Sequence, residues 1–375
     1  MLKKFLLILL LLTLSNFKTF AISAESAILI DGETGRILYE KNAYNIQGMA
    51  STTKIMTAIL ALEQSTPDKQ VKVSHNAATT EGSSMYLNSG ETIKMESLIY
   101  GLMLNSGNDA ATAIAESISG STEEFSKLMN KKSKEIGLKN TSFANPHGLD
   151  HKDHYSTAYD MAMLTKYALN NDKFKEIVST KRKNVELNGV ENSRFLTNHN
   201  KLLSLYENCI GVKTGFTKAC GRCLVSAVQK DGMTLIAVTL NAPDDWNDHI
   251  SMYESVFNTY KSHNIIEKNS YVASVDITHS ECKKLELYAK NKLSASLMPE
   301  EFECIKIKYN YPKTVSAPIY KGQKLGSVSI LLDNKKIAET DLISGYGLEM
   351  QIKTKYSSTL SYLFTNLLSL FVKAV

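Results

Sequence analysis

Ser51 and Lys54 stand three residues apart in a stretch, Met49 to Leu62, that is apolar nearly all round. On a helix that spacing turns both side chains to one face, with Cβ atoms ~5–6 Å apart. A serine hydroxyl becomes a useful nucleophile only when a neighbour takes its proton. A lysine can be that neighbour if its amine is neutral, and burial lowers a lysine pKa in that direction. A helix apolar on all sides supplies the burial. At its start the backbone N–H of Ser51 could help to hold an oxyanion.

Two further short motifs could complete a site. Ser106-Gly107-Asn108 lies in a break between two apolar helical stretches, Met95 to Leu104 and Ala110 to Ile118, where side chains can leave the packing and face a cleft. Lys213-Thr214-Gly215 occurs once and ends a β-branched run. There Gly215 would let backbone approach a ligand closely. The strand edge could pair with an extended peptide, and a cation suits a free carboxylate. Each motif alone is weak. Ser-x-x-Lys recurs at Ser15/Lys18 and Ser280/Lys283, and Ser-x-Asn at Ser74/Asn76 and Ser262/Asn264. Only the copies at 51, 106 and 213 sit in fitting local structure.

Other chemistries find less support. None of the eight His pairs with Glu at zincin spacing, and His147, His151 and His154 fall in a loop ahead of a helix. Cys220-x-x-Cys223 has no second pair and leads into a strand rather than opening a helix, against both a zinc and a redox reading. No Gly-rich phosphate loop is present. Cys209 and Cys223 flank the 213 strand, and a hairpin centred near Thr217 would not set them opposite each other. They are expected to be reduced. With 43 basic against 38 acidic residues, the net charge of +5 gives nucleic-acid binding no help.

The chain of 375 residues is 43% hydrophobic and 22% charged, as in soluble globular proteins, and is long enough for two or three domains. Residues 1–23 read as an export leader, with Lys3 and Lys4 ahead of the apolar run Phe5 to Leu14 and small residues at Ala21, Ser23 and Ala24. A hairpin (Ala27 to Ile30 with Ile37 to Tyr39) precedes the helical stretches, which include Thr122 to Ile136 and Thr157 to Leu169. Thr157 and Asp160 have capping-box spacing. Three β-branched runs follow, Cys209 to Thr214, Cys223 to Val228 and Thr234 to Leu240, and the helix Asn247 to Tyr260 closes one α+β domain over 24–262. Residues 268–355 read as a small β-rich domain with strands Tyr271 to Ile277, Lys284 to Tyr288, Cys304 to Tyr309, Ser327 to Leu332 and Lys336 to Thr340, serving as a spacer or docking module. In residues 356–375, Leu360, Leu363, Phe364, Leu367, Leu368, Phe371 and Val372 make an apolar stripe. A helix of that kind can lie on a membrane surface or dock back on the protein, and the membrane is the expectation.

The ordered set at 51, 106 and 213 resembles the penicillin-binding proteins and serine β-lactamases. More closely the chain resembles the low-molecular-mass D-alanyl-D-alanine carboxypeptidases. Asn145-Pro146-His147-Gly148-Leu149, His154-Tyr155-Ser156-Thr157-Ala158 and Gly211 to Thr217 carry the likeness further. The resemblance implies an α+β transpeptidase-like domain, an antiparallel sheet flanked by helices with a helical subdomain, followed by a β-rich domain and an amphipathic helix. It implies that Ser51 is acylated by the penultimate D-Ala of a peptidoglycan stem peptide, with Lys54 as base. It implies that Ser106 passes a proton to the leaving amine and Asn108 binds Lys54 and substrate amide. Lys213 and Thr214 would hold the terminal carboxylate beside Gly215, and the N–H groups of Ser51 and Phe216 would form the oxyanion hole. β-Lactams would acylate the same serine; no cofactor, metal or nucleic acid is implied. The implied location is the outer face of the bacterial cytoplasmic membrane or the cell-wall space.

Two departures stand out. Relatives often carry a basic residue after the strand at 234–240, yet Asn241 to His249 contains no Arg or Lys. Phe216 stands where some have His. A class A β-lactamase would show Ser-Asp-Asn and Glu-x-x-Leu-Asn, whereas Gly107 and Asn184 occupy the telling positions. A non-catalytic wall-binding protein would be expected to have lost one of the three motifs, and none is lost.

Overall fold

The computed structural model describes residues 22–187 and 190–350. The leader up to residue 21 and the expected C-terminal helix lie outside the described residues. The chain forms two compact units, the first ending at Lys261 and the second beginning at Ser262.

The first unit is built on a sheet of five antiparallel strands in the order β2-β1-β9-β8-β7. These are β1 Ser26–Asp31, β2 Ile37–Lys41, β7 Cys209–Thr217, β8 Gly221–Lys230 and β9 Met233–Leu240. Two-residue alternation divides each strand between two cores. Ile28, Ile30, Ile236 and Val238 face the helical side, and Ala27, Leu29, Leu235 and Ala237 face the other. Small sheets β3 Gln70–Lys72 with β4 Thr92–Lys94, and β5 Arg182–Leu187 with β6 Val190–Thr197, lie outside this frame and escaped the sequence reading.

The helices run α1 Lys54–Gln64, α2 His75–Ala78, α3 Met95–Leu104, α4 Asn108–Ser119, α5 Thr122–Ile136, α6 Ala158–Ala168, α7 Asp172–Ser179, α8 Leu202–Leu205 and α9 Asp245–Thr259. The expected single helix from Met49 is instead a 3₁₀ turn, Ala50–Thr53, that continues into α1, whose residues 54 to 61 are all buried. Thr157 caps α6 by accepting from the Asp160 N–H, as its spacing predicts. Asp160 does not return the bond. Its carboxylate accepts from Asn140 N and Thr141 Oγ1, tying a loop to the helix. Ser23, read as part of the leader, is built into the unit: its N–H and hydroxyl both donate to Asp248 on α9, at 2.7 and 2.8 Å.

The second unit pairs β10 Lys261–Ile266 with β13 Leu293–Leu297 and forms a six-stranded sheet in the order β14-β16-β17-β12-β11-β15. Its strands are β11 Tyr271–Thr278, β12 Lys284–Ala289, β14 Lys306–Asn310, β15 Thr314–Ser316, β16 Lys324–Leu332 and β17 Lys335–Ser344, with one short helix, α10 Pro299–Phe302. Val275, Ile277, Leu285, Leu287, Val328 and Ile330 fill its core. β10, β13 and β15 were not expected. Leu293–Leu297 is buried at all five positions, but three of its residues are Ser or Ala and none is β-branched, so its alternation is too weak to stand out from a loop.

Candidate active site

The 3₁₀ turn sets Ser51 at the foot of a cleft. Ala50, just before it, has φ +45°, a left-handed conformation that disfavours a side chain. The surroundings enforce it. A Cβ on Gly148 would lie 2.0 Å from the Ala50 carbonyl oxygen, so the backbone of the Asn145–Leu149 segment presses directly on this turn. From the opposite side a Cβ on Gly215 would lie 3.0 Å from Ser51 N. The glycine of Lys213-Thr214-Gly215 therefore brings edge strand β7 against the backbone of Ser51, where an approach to ligand is the expectation from sequence.

Lys54, one turn along, is wholly buried. Its Nζ lies 2.9 Å from Ser51 Oγ, 2.7 Å from Asn108 Oδ1 and 2.6 Å from the His147 carbonyl oxygen. Burial drives its pKa well down and the nearby Lys213 adds to this, while Asp109 opposes. A neutral amine has two N–H groups and one lone pair. Asn108 Oδ1 and His147 O accept the two, which leaves the lone pair for the Ser51 hydroxyl.

Asn108 begins α4, and its Nδ2 donates to Glu81 O at 2.7 Å. Asn108 thus holds Lys54 through Oδ1 and the 81 backbone through one N–H of its amide, and the second N–H of that amide remains. The neighbouring Asp109, not singled out from sequence, is fully buried and accepts from Ser84 Oγ, Met85 N and Leu87 N, which ties down the 84–87 segment. Ser106 borders the cleft with φ +60°. Non-glycine residues held in that region store roughly 1–3 kcal/mol of strain and gather at functional sites.

His154 is buried beneath the turn. Its Nδ1 accepts from Ala144 N, so Nε2 carries the proton and donates to Thr53 Oγ1 at 2.7 Å; Thr53 in turn donates to Ala50 O. Burial lowers its pKa to about 4, and that of His147 to about 3. These neutral rings brace the turn. Cys209 and Cys223 are free thiols, with Cys209 opposite Val228 and Cys223 opposite Gly215 in the strand register.

The cleft, about 370 Å³, is bordered by Ser51, Ser106, Thr214, Gly215 and Phe216, and also by Ser83, His199, Lys201, Arg222, Asp245 and Trp246. Lys213 is not on its wall. It is buried beside Lys54, whose pKa it helps to lower; its Nζ donates to the Thr214 carbonyl at 2.8 Å, and desolvation lowers its own pKa to about 7. The cation absent from 241–249 arrives from another strand. Arg222 on β8 sits across from Phe216 in the β7–β8 register, stacks 5.6 Å over Trp246, and donates through Nε and Nη2 to Asp245 Oδ1. No local signal could have found it, because its place depends on strand register and on the turn leading into α9.

Comparison with known proteins follows this geometry. Residues 14–244 match the Peptidase_S11 family, D-alanyl-D-alanine carboxypeptidase, and residues 260–349 match the penicillin-binding protein 5 C-terminal domain. D-alanyl-D-alanine carboxypeptidase DacF of Bacillus subtilis is 38% identical over 326 residues, 84% of this chain and 84% of the relative. DacC of Escherichia coli is 31% identical over 339 residues, 86% of this chain and 84% of the relative. The crystal structure of penicillin binding protein 5 from Haemophilus influenzae superposes with a TM-score of 0.71 at 28% identity, covering 88% of this chain and 98% of that one. With a buried lysine meeting a cleft serine, and likeness extending through both units, the chain belongs to the D-alanyl-D-alanine carboxypeptidase family of serine hydrolases.

Proposed function

We propose that this carboxypeptidase works through an acyl-enzyme on Ser51. The observation that carries the reading is the 2.9 Å contact between Ser51 Oγ and a buried Lys54 whose other two polar contacts are both acceptors. Neutral Lys54 takes the hydroxyl proton as Oγ attacks the carbonyl of the penultimate D-Ala in a stem peptide. The N–H groups of Ser51 and Phe216 receive the developing oxyanion. The proton passes by way of Ser106 to the leaving nitrogen, the peptide C–N bond breaks, and D-Ala departs as the free amino acid. Water then attacks the ester, giving a proton to Lys54, and Ser51 is restored. Penicillin would acylate the same oxygen by opening its lactam ring.

Thr214 and Arg222 hold the terminal carboxylate at the cleft wall, and Lys213 contributes its charge from its buried position beside Lys54. Arg222 is well prepared for this: Asp245 and Trp246 fix the guanidinium, and the donors not given to Asp245 remain for a ligand. Catalytic work belongs to residues 24–262. Residues 268–355 serve as a spacer or docking module. The leader within residues 1–23 directs export, with cleavage ahead of Ser23, which keeps its hold on Asp248. The 356–375 stripe holds the enzyme at the outer face of the cytoplasmic membrane. Among the described residues no helix is long and apolar enough to cross a membrane.

The test uses the purified protein and a Ser51→Ala variant with labelled penicillin and a peptide ending in D-Ala-D-Ala. Covalent label and released D-Ala are expected from the wild type only. Label on Ser280 would overturn the assignment.

A further inference from the structure

Beside the cleft lies a second cavity, of about 740 Å³. Lys181, Arg182 and Lys201 stand on its wall, with Leu203 and Leu205 among the lining residues. Among the described residues no carboxylate forms an ion pair with any of the three cations. Lys201 borders both this cavity and the catalytic cleft, so the two adjoin.

The loop between them is rigidly built. Asn198 Nδ2 donates to the carbonyls of Val178 and Thr180, and its Oδ1 accepts from Asn200 N. Asn200, 3% exposed, accepts from Leu202 N through Oδ1, which fixes the amide orientation. Its Nδ2 then has no hydrogen-bond partner although it is buried and the residue lines the cavity. A buried donor without an acceptor is costly. Three cations with no carboxylate partner among the described residues, and an unused amide donor, make a place for an oxygen anion around one hollow. Leu205, 59% exposed, gives that anion's carbon chain an apolar surface to lie on.

We propose that this cavity is a second anion subsite, taking a carboxylate that the stem peptide carries upstream of its D-Ala-D-Ala terminus. The inference rests on the carboxypeptidase reading above. It commits to a group on the same molecule because Lys201 joins the two hollows: a peptide whose end lies at Thr214 and Arg222 can run past Lys201 and lay its earlier carboxylate between Lys181 and Arg182. The subsite favours substrate with that charge intact over substrate in which it is amidated.

Two peptides ending in D-Ala-D-Ala test this on the full chain, identical but for an upstream γ-linked glutamyl residue with its α-carboxyl either free or as the carboxamide. The wild type is expected to favour the free acid by about tenfold in kcat/KM, through KM, with the preference fading as salt rises. A Lys181→Gln/Arg182→Gln double variant should bring the ratio near one. Ser204→Glu, which sets a carboxylate among the lining residues, should lower it as well, and carries the test if the double variant does not fold. Equal processing of the two peptides by wild type, or a preference that survives both changes, overturns the proposal. So does equal processing together with competition by polyglycerol phosphate, which would make the cavity a site for a phosphate polymer. Cleavage of neither peptide, with no penicillin label on Ser51, is the different result that would fail the carboxypeptidase reading itself.

Discussion

The two units bury their polar groups differently. Up to Lys261 the fold buries ten Asp, Glu, Lys or His side chains, Lys54, Asp109, His154 and Lys213 among them. From Ser262 to residue 350 it buries none; the polar side chains buried there are Ser and Thr. Charge kept out of water is expensive unless it is paired or neutralised. A chain that pays this ten times over in one unit and never in the other has placed its chemistry in the first. Both units hold Asn and Asp in left-handed backbone, at Asn42, Asn208, Asp231 and Asn241 in the first. In the second unit Asn269, Asp333 and Asn334 have positive φ, residue types that tolerate it in turns. In the first, Ala50 and Ser106 have it within the catalytic cluster.

The sharpest way to break this contrast is Lys54→Met, which keeps the packing volume and removes the amine. Acylation of Ser51 by penicillin should fall by on the order of 10²–10⁴-fold, the range for loss of a general base. The thermal midpoint should fall only modestly, because no charge is left unpaired and only the Asn108 Oδ1 and His147 O acceptors lose their donor. A variant that acylates normally would remove Lys54 from the mechanism. In the wild type, acylation should slow as pH falls through the depressed pKa of Lys54, because a protonated amine has no lone pair to offer.

Arg222→Gln should raise KM for a peptide ending in a free D-Ala carboxylate by roughly tenfold, the scale of a lost charge-assisted bond at ~1.5 kcal/mol. Its effect on the same peptide ending in a primary amide should be small. Equal losses on both would make Arg222 a support for Asp245 and Trp246 alone.

Lys213 sharpens the comparison through stability. Its folded pKa of about 7 lies below its ordinary value of 10.5. Between those two the unfolded chain binds more protons, so the contribution of this group to stability rises with pH across that window. Urea unfolding of wild type and Lys213→Met from pH 7 to pH 10 should show the wild type gaining on the variant, by an amount on the order of a few kcal/mol. A difference that stays flat would place the amine in contact with solvent.

The smallest effect on chemistry is expected from the second unit. Leu285→Ala opens its core, where Leu285 is fully buried, and should cost about 2–5 kcal/mol. Penicillin acylation of Ser51 should remain within twofold. A large drop would show that the catalytic unit depends on the β-rich one.

Much of this architecture was readable before any coordinates. The helix that begins at Lys54, the break at Ser106, and the strands of the five-stranded sheet follow from apolar periodicity, which is a local property. The missed pieces carry it too weakly to stand out. Arg182–Leu187 carries alternating polarity too weak to separate from a loop, and Leu293–Leu297 hides behind small residues. Asp109 reads as an ordinary helix-start acid, and only the packing of residues 84–87 over it makes it a buried clamp.

Residue types and short spacings alone determined which groups could react and in what order they come along the chain, because neighbours one turn or one strand apart are fixed by backbone geometry. Folding decided what those groups are like. Whether Lys54 is neutral, how deeply Lys213 is buried, and which cation meets a carboxylate all depend on desolvation and strand register among segments that only folding brings together, and no stretch of sequence contains that information locally.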